Sequence, residues 1–279
     1  MSIFKSGVMN LNINSAVAYL TFKKLDEYGF LRHAFSTRLG GVSTGKFRSM
    51  NLSLDRGDKA ENVQENYRLF CRAAGFDLNS LVIPKFVHGN NIGVARRENK
   101  GSGGFNLSDF PDTDGLVTNQ PGITLVTSHA DCPVVFVLDP GKRAIGLLHA
   151  GWRGTVKKIC ERCVKKMTVE FGCNPGDLIC CIGPAIGKCC FEVGDEVLKG
   201  IKEVDFIDLK DVVAQRENKY YVDLCEINSK ILVNCGVKKE NIILSDVCTM
   251  CNRELLFSHR ATKGERGGML AMMEIKEMV

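Results

Sequence analysis

The chain has no long apolar run, no excess of either charge and very little histidine. No window reaches the roughly 18 consecutive apolar residues that a membrane-spanning helix needs. The first 24 residues hold neither an apolar core of roughly 7–15 residues nor a small-residue cleavage site, so no secretory signal is read there. A cytoplasmic protein with reduced thiols and no membrane partner is expected. Lys and Arg total 37 and Asp and Glu 32, a net +5, and the signs are mixed along the chain. This excludes the basic stripe of a nucleic-acid binder and suits a small anionic substrate. No Gly-x-Gly-x-x-Gly follows an expected strand, so no dinucleotide site is inferred. At 44% hydrophobic and 25% charged residues, a disordered, coiled-coil or collagen-like chain is excluded as well.

What the chain does have is cysteine, 13 against five histidines (His33, His88, His129, His149 and His259). An odd number cannot pair fully, and the question becomes which thiols do chemistry. At roughly 150 residues per domain, 279 residues allow one large domain or two small ones.

Strands are expected at 16–22, 31–37, 81–87, 123–127, 134–138, 144–148, 178–182, 242–244, 255–258 and 269–274. Helices are expected from Asp58, as cap, to Ala74, from Thr155 to Phe171, from Gly194 to Ile201 and from Val222 to Cys235. Pro84 marks an edge or bulge in the third strand, and Gly75 and Gly236 stop their helices. The glycine-rich segment 101–112 reads as a surface loop or lid. Strands and helices alternate without regular βαβ repetition, which favours α+β layers.

Three expected strand ends carry metal-capable side chains: His88, Cys132 (with His129 and Asp131 just before it) and His149. Two imidazoles and a thiolate with one open position make a catalytic-type zinc site, since zinc accepts nitrogen and sulfur and polarises what enters the fourth position. The residues lie 44 and 17 positions apart, and that spacing alone equally fits core histidines and a small buried thiol. After His149, Gly151-Trp152-Arg153-Gly154 opens a helix, whose free N–H groups and Arg153 offer an anion site. Arg38, in Thr37-Arg38-Leu39-Gly40-Gly41, offers a second cation in a turn that also reads as plain surface.

The ordered strings Ser36–Ser43, Met50-Asn51-Leu52, Val87-His88-Gly89, Asp112–Gly115, Ala130–Val134, His149–Gly154, Gly183–Gly187, Cys190–Gly194, Asp223-Leu224, Cys248-Thr249 and Phe257–Arg260 resemble the laccase-domain family. That family is also labelled multi-copper polyphenol oxidase and peptidoglycan editing factor. The resemblance spans about residue 30 to the end. It implies a single domain over 1–279, with about 15 peripheral N-terminal residues. The implied fold is an α+β layered mixed-sheet sandwich flanked by helices, similar to cytotoxic necrotizing factor cysteine hydrolases. Zinc would be bound by His88, Cys132 and His149, with Cu2+ as the alternative ion. The implied activities are phosphorolysis of adenosine, inosine, guanosine and methylthioadenosine, and adenosine deamination. The implied partners are purine nucleosides and phosphate, with the chain a monomer or small homo-oligomer. Cys132, His88 and Asp131 would be catalytic, and Arg38, Asn51, Arg153, His259 and Arg260 would bind substrate or phosphate. The chain departs from the family at Phe86, where glutamine is usual, and at Ser128-His129, where a threonine precedes Ala-Asp-Cys. It departs again at His259–Thr262, which holds one arginine fewer.

Two other activities use the same residues. A four-copper laccase needs about ten imidazoles, and this chain has five. In a metal-free cysteine hydrolase or amidase, acting on peptidoglycan precursors, Cys132 would attack with His88 or His149 as base and Asp131 orienting it. Either Asp131 or His129 could relay a proton in the zinc reading. Cys160-x-x-Cys163, Cys248-x-x-Cys251, Cys180-Cys181 and Cys189-Cys190 are expected to be buried or incidental thiols.

Overall fold

In a computed structural model describing residues 4–277, the strands in chain order are β1 (Met9–Asn14), β2 (Val17–Phe22), β3 (Leu31–Ser36), β4 (Leu81–Val82), β5 (Ile92–Val94), β6 (Gly115–Thr118), β7 (Thr124–His129), β8 (Val134–Asp139), β9 (Ala144–His149), β10 (Ile179–Ile182), β11 (Glu192–Val193), β12 (Val213–Arg216), β13 (Lys219–Val222), β14 (Ile242–Leu244) and β15 (Met269–Ile275). The helices are α1 (Lys23–Asp26), α2 (Ala60–Ala74), α3 (Trp152–Val156), α4 (Ile159–Phe171), α5 (Asp195–Lys202), α6 (Leu209–Val212) and α7 (Leu224–Asn234). One six-stranded sheet has the order β1-β2-β3-β15-β7-β4 and another β14-β10-β8-β9-β6-β5; β11-β13-β12 form a small third sheet.

Side-chain alternation along the strands builds the layers. In β15, Met269, Ala271, Met273 and Ile275 face the core between the two large sheets, while Leu270 and Met272 face Val63, Tyr67 and Phe70 of α2. In β8, Val134, Phe136 and Leu138 join that central core, and Val135 and Val137 pack under α4 and α7. The result is a mixed α+β sandwich of four layers, helix, sheet, sheet, helix. Both faces of β8 and β9 are covered, so these strands are buried throughout and read as continuous apolar runs.

Several boundaries differ from expectation for identifiable reasons. The expected helix 155–171 is two helices, α3 and α4, because Lys158 lies in the left-handed region (φ 59°). Asp58 precedes α2, but Lys59 holds the cap position; the Asp58 carboxylate is engaged by Ser43, Asn51 and the Lys59 N–H. The strand expected to reach Val87 ends at Val82, ahead of Pro84, and 255–258 forms turns instead of a strand. Asp223 caps α7 as expected, accepting from Glu226 N–H. The N-terminal segment expected to be peripheral contributes β1, the edge strand paired along β2.

The hairpin β8–β9 pairs Val134 with His149, and β15–β7 pairs Met269 with His129. The starts of β8 and β15 and the ends of β7 and β9 thereby meet, which brings residues 129–133 beside His149.

Candidate metal centre and its cavity

His88, Cys132 and His149 converge there, each offering one ligand atom, all within 4.8 Å of one another. His149 is fixed first: it ends the buried strand β9, and its Nδ1 contacts Asp114 Oδ1 at 3.0 Å. Asp114 is fully buried and also accepts the N–H groups of Val87 (3.1 Å), His88 (3.0 Å) and Gly89 (2.7 Å). One carboxylate thus orients one imidazole and folds the loop that presents the other. The loop conformation is demanding, since His88 has φ 58° and Asp131, beside the thiol, φ 88°. Gly151 is small for a reason: a Cβ there would lie 3.2 Å from Cys132 Sγ, 3.3 Å from His88 and 3.4 Å from His149. At Gly154 a Cβ would come within 2.5 Å of the Gly89 carbonyl, so this glycine lets the two ligand-bearing loops touch.

Burial alone would raise the Cys132 thiol, but the neighbouring His149 and His88 bring it down to about 6. Burial would lower His149, but Cys132 and Asp114 raise it to about 9. Without an ion, a thiolate faces an imidazolium; with one, the same atoms are soft and borderline donors of the type that holds zinc or copper. An outer carboxylate on a ligating imidazole fixes its tautomer and leaves Nε2 for the ion. The donor set therefore fits a single metal with an open position.

The centre opens into a cavity of about 790 Å³, lined by apolar groups such as Leu52, Phe86, Trp152, Phe191 and Leu224. Phe86 packs edge-on against His149 at 5.6 Å, so the residue that departs from the family braces a ligand ring. Gly103, Gly104 and Leu107 of the glycine-rich loop line the cavity as well.

Asp131, His259 and Arg260 line the cavity with the ligands, whereas Arg38, Asn51 and Arg153 do not. Arg38 donates to the Arg48 and Arg253 carbonyls and lies over Phe257, fastening two loops. Asn51 is fully buried, bonded to Asp58, Ser53 and Gly268. Arg153 stacks on Trp152 at 4.2 Å and pairs with Glu196 at 3.1 Å. The structure thus places these three outside the cavity lining, with the contacts just described. The orienting role expected of Asp131 belongs to Asp114. Asp131 accepts from Thr249 Oγ1 (2.6 Å) and the Arg260 N–H (2.7 Å). His129 also lines the cavity; its ring nitrogens contact Thr127 Oγ1 and the Cys132 carbonyl, and burial holds it well below the ordinary imidazole range.

Two cavity arginines were not anticipated. Arg266 is 8% exposed, and its Nε is the one buried side-chain nitrogen or oxygen without a hydrogen-bond partner among the described residues. Burial, then repulsion from Arg56, another cavity residue, lower it to about 10. Its Nη1 donates to the Gly267 carbonyl, which leaves Nε as a donor without an acceptor. The only sequence signal was an arginine among glycines in 264–268.

Fold and site define a layered α+β protein with an open His2Cys metal-capable centre beside a cationic, largely apolar cavity. Residues 32–276 match the model of the multi-copper polyphenol oxidoreductase laccase family, and the chain belongs to that family of enzymes. It is 35% identical over 246 residues to purine nucleoside phosphorylase YlmD of Bacillus subtilis (strain 168), covering 87% of this chain and 88% of that protein. A purine nucleoside phosphorylase of Bacteroides thetaiotaomicron is 33% identical over 266 residues, covering 94% and 97%. The crystal structure of YlmD from Geobacillus stearothermophilus superposes with a TM-score of 0.90 at 31% identity, covering 97% of this chain and 99% of that one.

Proposed function

We propose that the protein is a zinc-dependent purine nucleoside phosphorylase, acting on adenosine, inosine, guanosine and methylthioadenosine, with adenosine deamination as a side activity. The observation that carries the reading is buried Arg266, whose Nε has no hydrogen-bond partner among the described residues, in the same cavity as the His2Cys centre. Its Nη1 donates to the Gly267 carbonyl, and a phosphate would supply the acceptor that Nε lacks. Zinc, when bound by His88, Cys132 and His149, supplies a Lewis acid at an open position. Zinc is preferred to copper because no methionine lines the cavity to serve as an axial ligand, among the described residues.

In phosphorolysis a phosphate oxygen bonds to ribose C1′ as the C1′–N9 bond breaks, and the purine leaves with the electron pair and takes up a proton. Arg266, with Arg56 and Arg260 in the same lining, holds the phosphate and offsets its charge. Phe191, Trp152 and Phe86 offer apolar and aromatic surface for the purine and exclude water. Proton delivery falls to His259, a cavity imidazole that makes no hydrogen bond among the described residues. Asp131 positions Arg260 and Thr249, and Asp114 keeps His149 Nδ1 occupied. A cytoplasmic enzyme meets both substrates, and a monomer or small homo-oligomer would suffice.

A second reading has a specific basis, the thiolate–imidazolium pair with Asp114 behind it. Cys132, His149 and Asp114 form the nucleophile, base and orienter of a cysteine hydrolase, of the cytotoxic necrotizing factor type or one that edits peptidoglycan precursors. A thiolate that ligates an ion cannot also attack, so removing the metal separates the two. Stripped protein should lose phosphorolysis and regain it when zinc is restored. Full phosphorolysis by stripped protein would refute the zinc mechanism.

A further inference from the structure

A second group of thiols lies outside this centre. Cys189, Cys190, Cys248 and Cys251 bring their four Sγ atoms within 4.8 Å of one another. Cys251 Sγ is 3.5 Å from Cys190 Sγ and 3.6 Å from Cys189 Sγ, and all four are free thiols. Four sulfurs around one ion at about 2.3 Å stand about 3.8 Å apart, which is close to this spacing. These four differ from Cys160, Cys163, Cys180 and Cys181, which are buried on α4 and β10 among apolar neighbours.

The surroundings of Cys248 suit a thiolate. The Gly187 N–H donates to Cys248 Sγ at 3.3 Å, and the Cys251 N–H also reaches that sulfur. Such N–H···S contacts satisfy a charged sulfur, whereas a buried apolar thiol needs none. Gly187 leaves the space: a Cβ would lie 3.3 Å from Cys189 Sγ and 3.7 Å from Cys248 Sγ. The two cysteine-bearing loops are already aligned by the Ala185–Cys248 bridge and by the Thr249 N–H to Ala185 carbonyl bond.

We propose that Cys189, Cys190, Cys248 and Cys251 form a second, structural zinc site with four protein ligands and no open position. Binding displaces the thiol protons and leaves a closed tetrathiolate. Its place in the fold gives it a task. Phe191, next to Cys190, lines the cavity, and Thr249, next to Cys248, donates to Asp131 beside Cys132. One ion would therefore tie together a loop that passes Phe191 to the cavity wall and a loop whose Thr249 holds the cavity residue Asp131.

The test is metal content, with no dependence on turnover. Wild type, Cys251→Ser, His149→Ala and the double variant are purified alike and their zinc per chain is measured by mass spectrometry of the element. Cys251 is exposed, which favours folding of its serine variant. The expected result is one zinc fewer in Cys251→Ser than in wild type, and one fewer again in the double variant. Equal zinc in wild type and Cys251→Ser overturns the proposal, as does iron at that place or an intact mass showing a disulfide among the four cysteines. Failure of the catalytic-site reading would alter only the His149→Ala comparison. Should Cys251→Ser not fold, zinc-edge X-ray absorption of wild type decides: two sites average about 2.5 sulfurs per zinc, whereas a lone His2Cys site has about one. An average near one overturns the proposal.

Discussion

Replacing Asp114 by Asn removes a charge without changing shape, and the structure says what that costs. Oδ1 accepts from His88 N–H and His149 Nδ1, and Oδ2 from Val87 and Gly89 N–H. An amide has one oxygen, so in either orientation two donors meet an NH2 group. Two lost hydrogen bonds to a buried charged acceptor, at about 1.5–3 kcal/mol each, give a loss of about 3–6 kcal/mol. The metal should suffer separately, since losing the carboxylate behind a ligating imidazole typically weakens binding about 10- to 100-fold. Urea unfolding of the metal-free variant measures the first quantity, and competition with a chromogenic chelator measures the second. Zinc affinity within twofold of wild type, with a stability loss below about 1 kcal/mol, would show that Asp114 neither orients His149 nor holds the 87–89 loop.

Four further outcomes follow from the same geometry. In metal-free protein the Cys132 thiolate absorption should titrate near pH 6 and vanish in Cys132→Ser. The pair's stabilisation should be lost as pH falls through about 6, where the depressed thiol protonates, and as it rises through about 9, where the elevated His149 deprotonates; a flat stability profile over that span would count against the pairing. Arg266→Gln should raise the phosphate KM about 10- to 100-fold, the equivalent of one charge-assisted hydrogen bond, with nucleoside KM little changed; an unchanged phosphate KM in steady-state assays would remove Arg266 from the site. Gly151→Ala should lower zinc affinity while leaving the fold intact by circular dichroism, because its Cβ presses on all three ligands; wild-type zinc retention would show that the centre yields freely.

How far the sequence could be read depended on whether a residue's role is local. His149 and Cys132 sit at the ends of uninterrupted apolar strands, and the strings around them carry the family pattern, so the metal centre was legible. Asp114 was not singled out, because its four donors come from 25 to 35 positions away. Nothing local to Arg38 or Arg153 revealed their contacts with the Arg48 carbonyl and Glu196, which come from distant positions. Arg266 was missed for the opposite reason: its burial and unpaired Nε are visible only after the chain closes around it. The layered α+β class followed from strand periodicity, while the small sheet β11-β13-β12 escaped because its strands are short and half exposed.

The most direct test of the account is release of free base from adenosine, inosine and methylthioadenosine by zinc-quantified protein, with and without inorganic phosphate. The account predicts purine base and ribose 1-phosphate, or its methylthio analogue, only when phosphate is present. Base release that ignores phosphate, or ammonia as the sole product from adenosine, would contradict it.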